Sequence, residues 1–271
     1  MVGREKNAKI QRAHKPASSL ELRVQREQAT YEKGLDRAVF NKFLKHLTKC
    51  LSWQKAIEFQ KKLLAVANDK VVLEIGANSW AILINLNKTC PKQLICTNIS
   101  EKELEKGIKK AKELGHYDKI DFRIMDAHNL ALPDNSVDIV YGRAILHHLE
   151  FEQGIKEIKR VLKPGGFITF SEPLRPNPIA MLIRFFTPNA RTPDERPLGF
   201  AELRLLRKNF HTKNRYFQLF AFPASVVSGF LFKNPINPLT MVADKIDFFI
   251  EKFLPFVRPF FRVVIIHGEK K

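Results

Sequence analysis

Residues 71–82 read VVLEIGANSWAI. Apolar branched residues run through VVLEI with one acidic residue, Glu74, among them, and Gly76 follows at once. That pattern predicts a strand buried on both faces that ends in a sharp turn, because glycine alone accepts a left-handed backbone without strain. The apolar residues from Ser79 to Leu86 predict a helix directly after the turn. Strand, glycine turn and helix together form the first unit of a parallel sheet.

The same alternation continues outward. QLICTNI reads as a strand and SEKELEKGIKKAKELG as a helix, with Ser100 as N-cap, Glu103 at the capping-box position and Gly115 as terminator. IDFRIM, VDIVYG and FITFSEP supply further strands. Between the last two lies the amphipathic helix FEQGIKEIKRVL, ended by Pro164, Gly165 and Gly166. In such sheets ligands sit at the carboxyl ends of the strands. Upstream, residues 1–19 are polar and basic and predict a flexible tail. Residues 20–70 carry Phe40, Phe43, Leu44, Leu47, Leu51, Ile57, Leu63 and Leu64 at roughly helical spacing, which predicts helices forming a lid or packing layer.

The net charge is +18, yet residues 73–172 hold as many acidic as basic side chains, so the whole excess lies in the flanks. A basic surface suits nucleic acid, an anionic membrane face or an acidic substrate. Cys50, Cys90 and Cys96 have no metal-ligand spacing, and Met1 is followed by charged residues, which fits a reducing cytoplasmic setting.

DAHNLALPDNSVDIVYGRAILHHL (126–149) followed by EIKRVLKPGGFITFSEP (157–173) resembles the class I S-adenosylmethionine-dependent methyltransferases, in particular the small-molecule branch that includes quinone and sterol methyltransferases. The resemblance covers about 100 residues, Val71 to Glu172. It implies an α/β fold: a Rossmann-like seven-stranded, mostly parallel sheet with helices on both faces, with residues 71–220 as the core and S-adenosylmethionine as cofactor. It places Glu74 and Gly76 at the acidic residue and first glycine of the cofactor turn, with Asn78 and Trp80 where the family has its second and third glycines. Asn tolerates a left-handed backbone; Trp80 either displaces the following helix or covers part of the cleft.

Asn98 stands where the family has a carboxylate for the ribose hydroxyls. A neutral acceptor forgoes about 1 kcal/mol against a charged one, roughly fivefold in affinity. Asp126 matches the adenine contact, with Ala127 beside it, and Arg143 falls near the methionine end of the cofactor. Each of Asp126 and Arg143 also has a bland reading, as a loop cap and as a solvated side chain.

Methyl transfer needs alignment and, for a hydroxyl acceptor, a base. His147 and His148 follow the fourth strand, and adjacent side chains point apart, so at most one faces the acceptor; packing against the core is the alternative. Glu172 ends the fifth strand and either orients the acceptor or is a buried carboxylate satisfied by backbone. Tyr141 to Ala144 lack the Asp/Asn-Pro-Pro-aromatic motif of many base amino-methyltransferases, and no Pro-Cys pair stands there for pyrimidine carbon methylation. Nucleic acid is thereby disfavoured, ribose methylation excepted.

After Glu172 the family fold requires GFAELRLLRKNF as a helix, KNRYFQLF as the sixth strand and FRVVIIHGEKK as the seventh. About 40 residues (221–260) intervene as a hydrophobic helical insertion, and 13 of the 22 Phe fall after residue 199. Val242, Ile246, Phe249, Ile250 and Phe253 form one helical stripe opposite Asp244, Lys245, Asp247, Glu251 and Lys252. Such an element fits an anionic bilayer surface, or else a pocket lid or a subunit interface. Arg191, Asp194, Glu195 and Arg196 read as a loop closing over the acceptor or as an ordinary salt-bridged loop. The leading expectation is a membrane-peripheral methyltransferase for a hydrophobic or lipid-linked acceptor. The alternatives are an RNA methyltransferase and a scaffold that has lost the cofactor.

Overall fold

The computed structural model describes residues 18–35, 44–78 and 86–271. The basic tail up to residue 17, Phe40, Phe43 and the predicted helix from Ser79, with Trp80, lie outside the described residues.

Helix α1 (Ser19–Lys33) starts at a reciprocal capping box: the Ser18 hydroxyl accepts from Glu21 N, and Ser18 N donates to the Glu21 carboxylate. Helix α2 (Leu51–Leu64) leads into β1 (Val71–Ile75). Next come β2 (Gln93–Asn98), α3 (Glu101–Glu113), β3 (Asp121–Ile124), β4 (Val137–Arg143), α4 (Phe151–Val161) and β5 (Leu162–Pro173). Their order in the sheet is β3-β2-β1-β4-β5, all parallel. The order reverses between β1 and β4, so the crevice at their carboxyl ends is the topological switch point.

Strand alternation divides the core in two. Leu73, Ile75, Val140, Ile168 and Phe170 pack with α4 residues Ile155, Ile158 and Val161 on one face. Val72, Leu94, Cys96, Ile139 and Tyr141 pack with Leu64 of α2 and Leu104 and Ala111 of α3 on the other. Helices therefore cover both faces.

Among the described residues the sheet has eight strands rather than the expected seven. The expected sixth strand is two short ones, β6 (Phe210–Thr212) and β7 (Arg215–Phe217), both antiparallel to β8 (Val263–Lys270), which itself lies antiparallel on β5. The register runs on across the gap, since Thr212 faces Gly268 and Arg215 faces Ile265, and Lys213 N still donates to His267 O at 2.8 Å. One edge strand, interrupted at Lys213 and Asn214, accounts for the extra count.

Helices α5 (Pro178–Phe186) and α6 (Phe200–Asn209) follow β5, and α7 (Ala221–Leu231) and α8 (Pro238–Phe253) stand between β7 and β8. Helix α8 turns most of its expected apolar stripe outward, while Ile250 of that stripe packs against the core and Lys245 and Lys252 on the other side stay exposed. Val242, Ile246, Phe249 and Phe253 are 44–58% exposed, whereas Asp244, Asp247 and Glu251 are 4–6% exposed. The buried acids have partners: Lys55 for Asp244, Arg215 for Glu251 at 3.1 Å, and three backbone N–H groups at the start of α7 for Asp247.

Candidate active site

A cleft opens at the carboxyl ends of β1, β2 and β4. Of the residues expected from the sequence, it brings together Gly76, Asn78, Asn98, Asp126, Ala127, Arg143 and His148. Glu74, His147 and Glu172 lie behind its wall.

The floor is the Gly76 turn. Gly76 has φ +76°, and a Cβ there would come within 2.9 Å of Ile145 Cγ1. Only glycine lets β1 end this close to the chain leaving β4. Asn98 braces the turn from the side: its Nδ2 donates to Ala77 O at 2.8 Å and its Oδ1 accepts Ser100 N at 2.9 Å. That second bond replaces half of the expected capping box. The Ser100 hydroxyl does cap α3 at Glu103 N, but the Glu103 side chain pairs with Lys106 instead of returning to Ser100 N.

Asp126 holds the next wall. Its Oδ1 accepts from the His128 backbone N–H at 2.9 Å and from His128 Nδ1 at 2.7 Å. His128 Nε2 in turn accepts Glu150 N at 2.8 Å, which fixes the proton on Nδ1. Burial raises the Asp126 pKa, but the two His128 hydrogen bonds outweigh it and hold the carboxyl below its usual range. Arg143 reaches the cleft with its guanidinium 5.4 Å from the Trp53 ring centroid. Burial lowers its pKa, with Glu74 opposing.

Glu74 sits beneath the turn, 1% exposed. Its Oε2 accepts the Tyr141 hydroxyl at 2.6 Å and the Cys96 thiol at 3.2 Å, while Oε1 has no hydrogen-bond partner among the described residues. Burial pushes its pKa up to about 7. Glu172 is fully buried and fully engaged: Oε1 accepts from Ile145 N and Leu146 N at 3.0 and 2.9 Å, and Oε2 from His147 Nδ1 at 2.7 Å. It pins the turn after β4 to β5. In the same turn Ala144 takes φ +52°, held by its N–H on Ser171 O at 2.8 Å.

The roof is α1, whose polar residues the sequence reading did not single out. Arg23, Glu27 and Tyr31 line the cleft at spacing i, i+4, i+8. Arg23 donates to His148 O at 2.9 Å and to Asp194 O at 3.0 Å. Glu27 accepts the Thr192 hydroxyl at 2.6 Å and lies 3.2 Å from His148 Nδ1. The Tyr31 hydroxyl is 3.0 Å from His148 Nε2. A polar stripe at helical spacing in a segment with few apolar residues was the available signal. Burial, then the neighbouring His147, lower the His148 pKa, against the opposing Glu27 and Glu195 carboxylates. The loop residues are tied down too, with Asp194 on Arg26, Glu195 on Arg184 at 2.6 Å and Arg191 on the Arg184 carbonyl. Arg196 N donates to His147 O.

Residues 73–170 match the methyltransferase domain family. Over those residues the chain resembles a methyltransferase domain. Demethylmenaquinone methyltransferase of Bacteroides fragilis is 32% identical over 134 residues, 49% of this chain and 51% of that protein. The sterol 24-C-methyltransferase of Aspergillus fumigatus is 32% identical over 96 residues, 35% of this chain and 26% of that protein. The chain thus matches about half the length, or less, of these curated relatives. Geranyl diphosphate C-methyltransferase of Streptomyces coelicolor A3(2), crystallised with Mg2+, geranyl diphosphate and S-adenosyl-L-homocysteine, superposes with TM-score 0.55 at 12% identity, covering 80% of this chain and 79% of that one. A [4+2]-cyclase superposes with TM-score 0.51 at 19% identity, covering 80% and 82%. These likenesses establish the fold of the domain, and the cyclase makes plain that the fold also serves other chemistry.

Proposed function

We propose that this chain transfers a methyl group from S-adenosylmethionine to a hydrophobic or lipid-linked acceptor at a membrane surface. The observation that carries the reading is a glycine-floored cleft at the switch point of the sheet, in a molecule that turns an apolar helix face outward.

The residues fit the cofactor. Gly76 lines the cleft, and its left-handed turn, which a Cβ would drive into Ile145, leaves backbone open to a ligand. Asn98 Oδ1 spends one lone pair on Ser100 N and keeps one for a ribose hydroxyl. Asp126, with Oδ1 committed to His128, offers Oδ2, and Ala127 offers backbone beside it for the adenine. Arg143 lines the cleft and is assigned to the methionine end. The cofactor supplies an electrophilic methyl on a sulfonium; the chain supplies alignment and a place for a proton. Of the three residues assigned to chemistry, His148 alone faces the cleft. With Nδ1 donating to Glu27 or Thr192, Nε2 keeps a lone pair that takes a proton directly or through the Tyr31 hydroxyl. His147 and Glu172 are positioning residues, which hold the turn that presents His148 and Arg143.

The membrane reading rests on α5, α7 and α8. Phe185, Phe186, Phe230, Phe249, Phe253 and Phe256 are all more than half exposed. Lys233, Lys245 and Lys252 are exposed on or beside the same helices. Apolar side chains among cations suit the interface of an anionic bilayer. Among the described residues no helix is long and apolar enough to cross a membrane.

Calorimetric titration with S-adenosylmethionine and with its demethylated product tests the first half. Binding of both is expected, and binding of neither overturns methyl transfer. Flotation with phosphatidylglycerol vesicles tests the second. The intact chain should float, and replacing Phe249, Phe253 and Phe256 together by Ser should release it; an intact chain that ignores anionic vesicles, or prefers RNA, overturns membrane action.

A further inference from the structure

Two histidines and a carboxylate converge at the edge of the cleft. A ring nitrogen of His147, one of His148 and a carboxylate oxygen of Glu195 all lie within 4.8 Å of one another. Each imidazole is held from behind by a carboxylate: Glu172 Oε2 lies 2.7 Å from His147 Nδ1, and Glu27 Oε2 lies 3.2 Å from His148 Nδ1. Both acceptors fix the proton on Nδ1, so both Nε2 atoms carry lone pairs. The Thr192 hydroxyl agrees, since its proton goes to Glu27 and its oxygen can only accept from His148 Nδ1. His147 Nε2 makes no hydrogen bond to a described residue, and His148 Nε2 lies 3.8 Å from Glu195 Oε2.

We propose that His147 Nε2, His148 Nε2 and Glu195 bind a divalent transition cation of the zinc class. Two neutral imidazoles and one carboxylate are the donor set of three-ligand sites with an open position. Carboxylates behind both histidines match the outer shell that fixes the tautomer of metal-bound imidazoles. Ligand atoms around tetrahedral zinc lie roughly 3.3 Å apart, given bonds of about 2.0–2.1 Å. The observed spread closes to that with side-chain shifts of about 1 Å.

The scaffold directs the three groups to one point. Arg196 N donates to His147 O at 2.7 Å, which ties the backbone beside Glu195 to the histidine turn. Arg184 occupies Glu195 Oε1 at 2.6 Å and leaves Oε2 for the cation. The Tyr31 hydroxyl, 3.0 Å from His148 Nε2, would yield that nitrogen's lone pair to the ion, on the side of the cleft that Tyr31 lines. There an acceptor oxygen displaces Tyr31 and meets the ion. This role rests on the methyl-transfer reading above. In the metal-loaded protein His148 Nε2 would be a ligand rather than a base, and the ion would polarise the acceptor hydroxyl, whose proton would leave to solvent water through the open cleft.

The test uses the untagged full chain, stripped with chelator and titrated with Zn2+ and with Co2+ by calorimetry and visible absorption. One cation per chain and the intense visible bands of four-coordinate Co2+ are expected. Glu195→Gln, which keeps a bond to Arg184, and His147→Ala should each weaken binding about tenfold or more, as should Glu172→Gln through the tautomer. Wild-type protein that binds neither ion overturns the site, even if a variant fails to fold. So does binding indifferent to all three substitutions, which would place the ion on Cys50, Cys90 or Cys96. A parallel titration with S-adenosylmethionine separates the two readings. Cofactor binding without cation binding removes the metal site alone; cation binding without cofactor binding removes methyl transfer and leaves the site.

Discussion

Replacing Glu74 by Gln should flatten one segment of the pH dependence of stability. Glu74 is buried against Tyr141 and Cys96 with Oε1 unpartnered, and burial raises its pKa from 4.5 to about 7. Between these values the folded chain holds a proton that the unfolded chain has released. Stability from this group is therefore fully present below pH 4.5 and is lost as pH rises through 7. A shift of about 2.5 units at 1.36 kcal/mol each is worth about 3 kcal/mol. Gln keeps an acceptor for Tyr141 but cannot ionise, and its buried NH2 adds a pH-independent penalty that cancels in a slope. Urea unfolding of both proteins from about pH 4 to 8 at fixed ionic strength reads the effect. The advantage of wild type over Glu74→Gln should shrink by about 3 kcal/mol across that range. Asp247, raised by burial to about 6, titrates there too, but equally in both proteins. Parallel curves would mean that Glu74 ionises normally, and that Arg143 or hydration compensates its burial.

Three further outcomes follow from the same geometry. Gly76→Ala forces a left-handed alanine, at about 1–2 kcal/mol, with its Cβ 2.9 Å from Ile145 Cγ1, worth about 1–3 kcal/mol more; denaturant unfolding should register about 2–4 kcal/mol in all, together with weaker cofactor binding by calorimetry. Asn98→Asp restores the family's carboxylate but turns an oxygen toward the Ala77 carbonyl that Nδ2 now bonds; the affinity gain of roughly fivefold expected from charge alone should be absent and stability should fall by about 1–2 kcal/mol. Asp247→Ala strands the N–H groups of Leu219, Phe220 and Ala221; a loss of about 3 kcal/mol or more is expected on thermal unfolding, roughly halved in Asp247→Asn, and a loss below about 1 kcal/mol would mean that water reaches the start of α7.

The sheet was legible because its signals are local. VVLEI, QLICTNI and VDIVYG are short apolar runs between helices, and the Gly76 turn needs nothing beyond itself to be recognised. What the sequence left open is what depends on distant partners. Glu172 had two readings, and only its neighbours across the β4–β5 seam, Ile145 N, Leu146 N and His147, decide for the buried, satisfied carboxylate. Asn98 looked like a weakened ligand contact; its bond to Ala77 gives it a second task that Asp could not perform. Glu27 and Tyr31 were passed over because their meaning lies in His148, more than a hundred residues on.

Helix α8 carries the point furthest. Its period was correct and its apolar stripe was read as a contact face, yet periodicity cannot say whether that face meets the body of the protein or what lies beyond it. Asp244, Asp247 and Glu251 decide the matter. Buried without partners, each carboxylate would be opposed by several kcal/mol of desolvation, but Lys55, Arg215 and three backbone N–H groups stand ready for them. The acidic side can therefore face inward, and the opposite side must face outward. Ile246, Phe249 and Phe253 are about half exposed, so each forgoes roughly half of the about 1.5–3 kcal/mol that full burial contributes. With its acids satisfied inside, the helix keeps these aromatics on its outer side, and any partner that covered them would regain that burial.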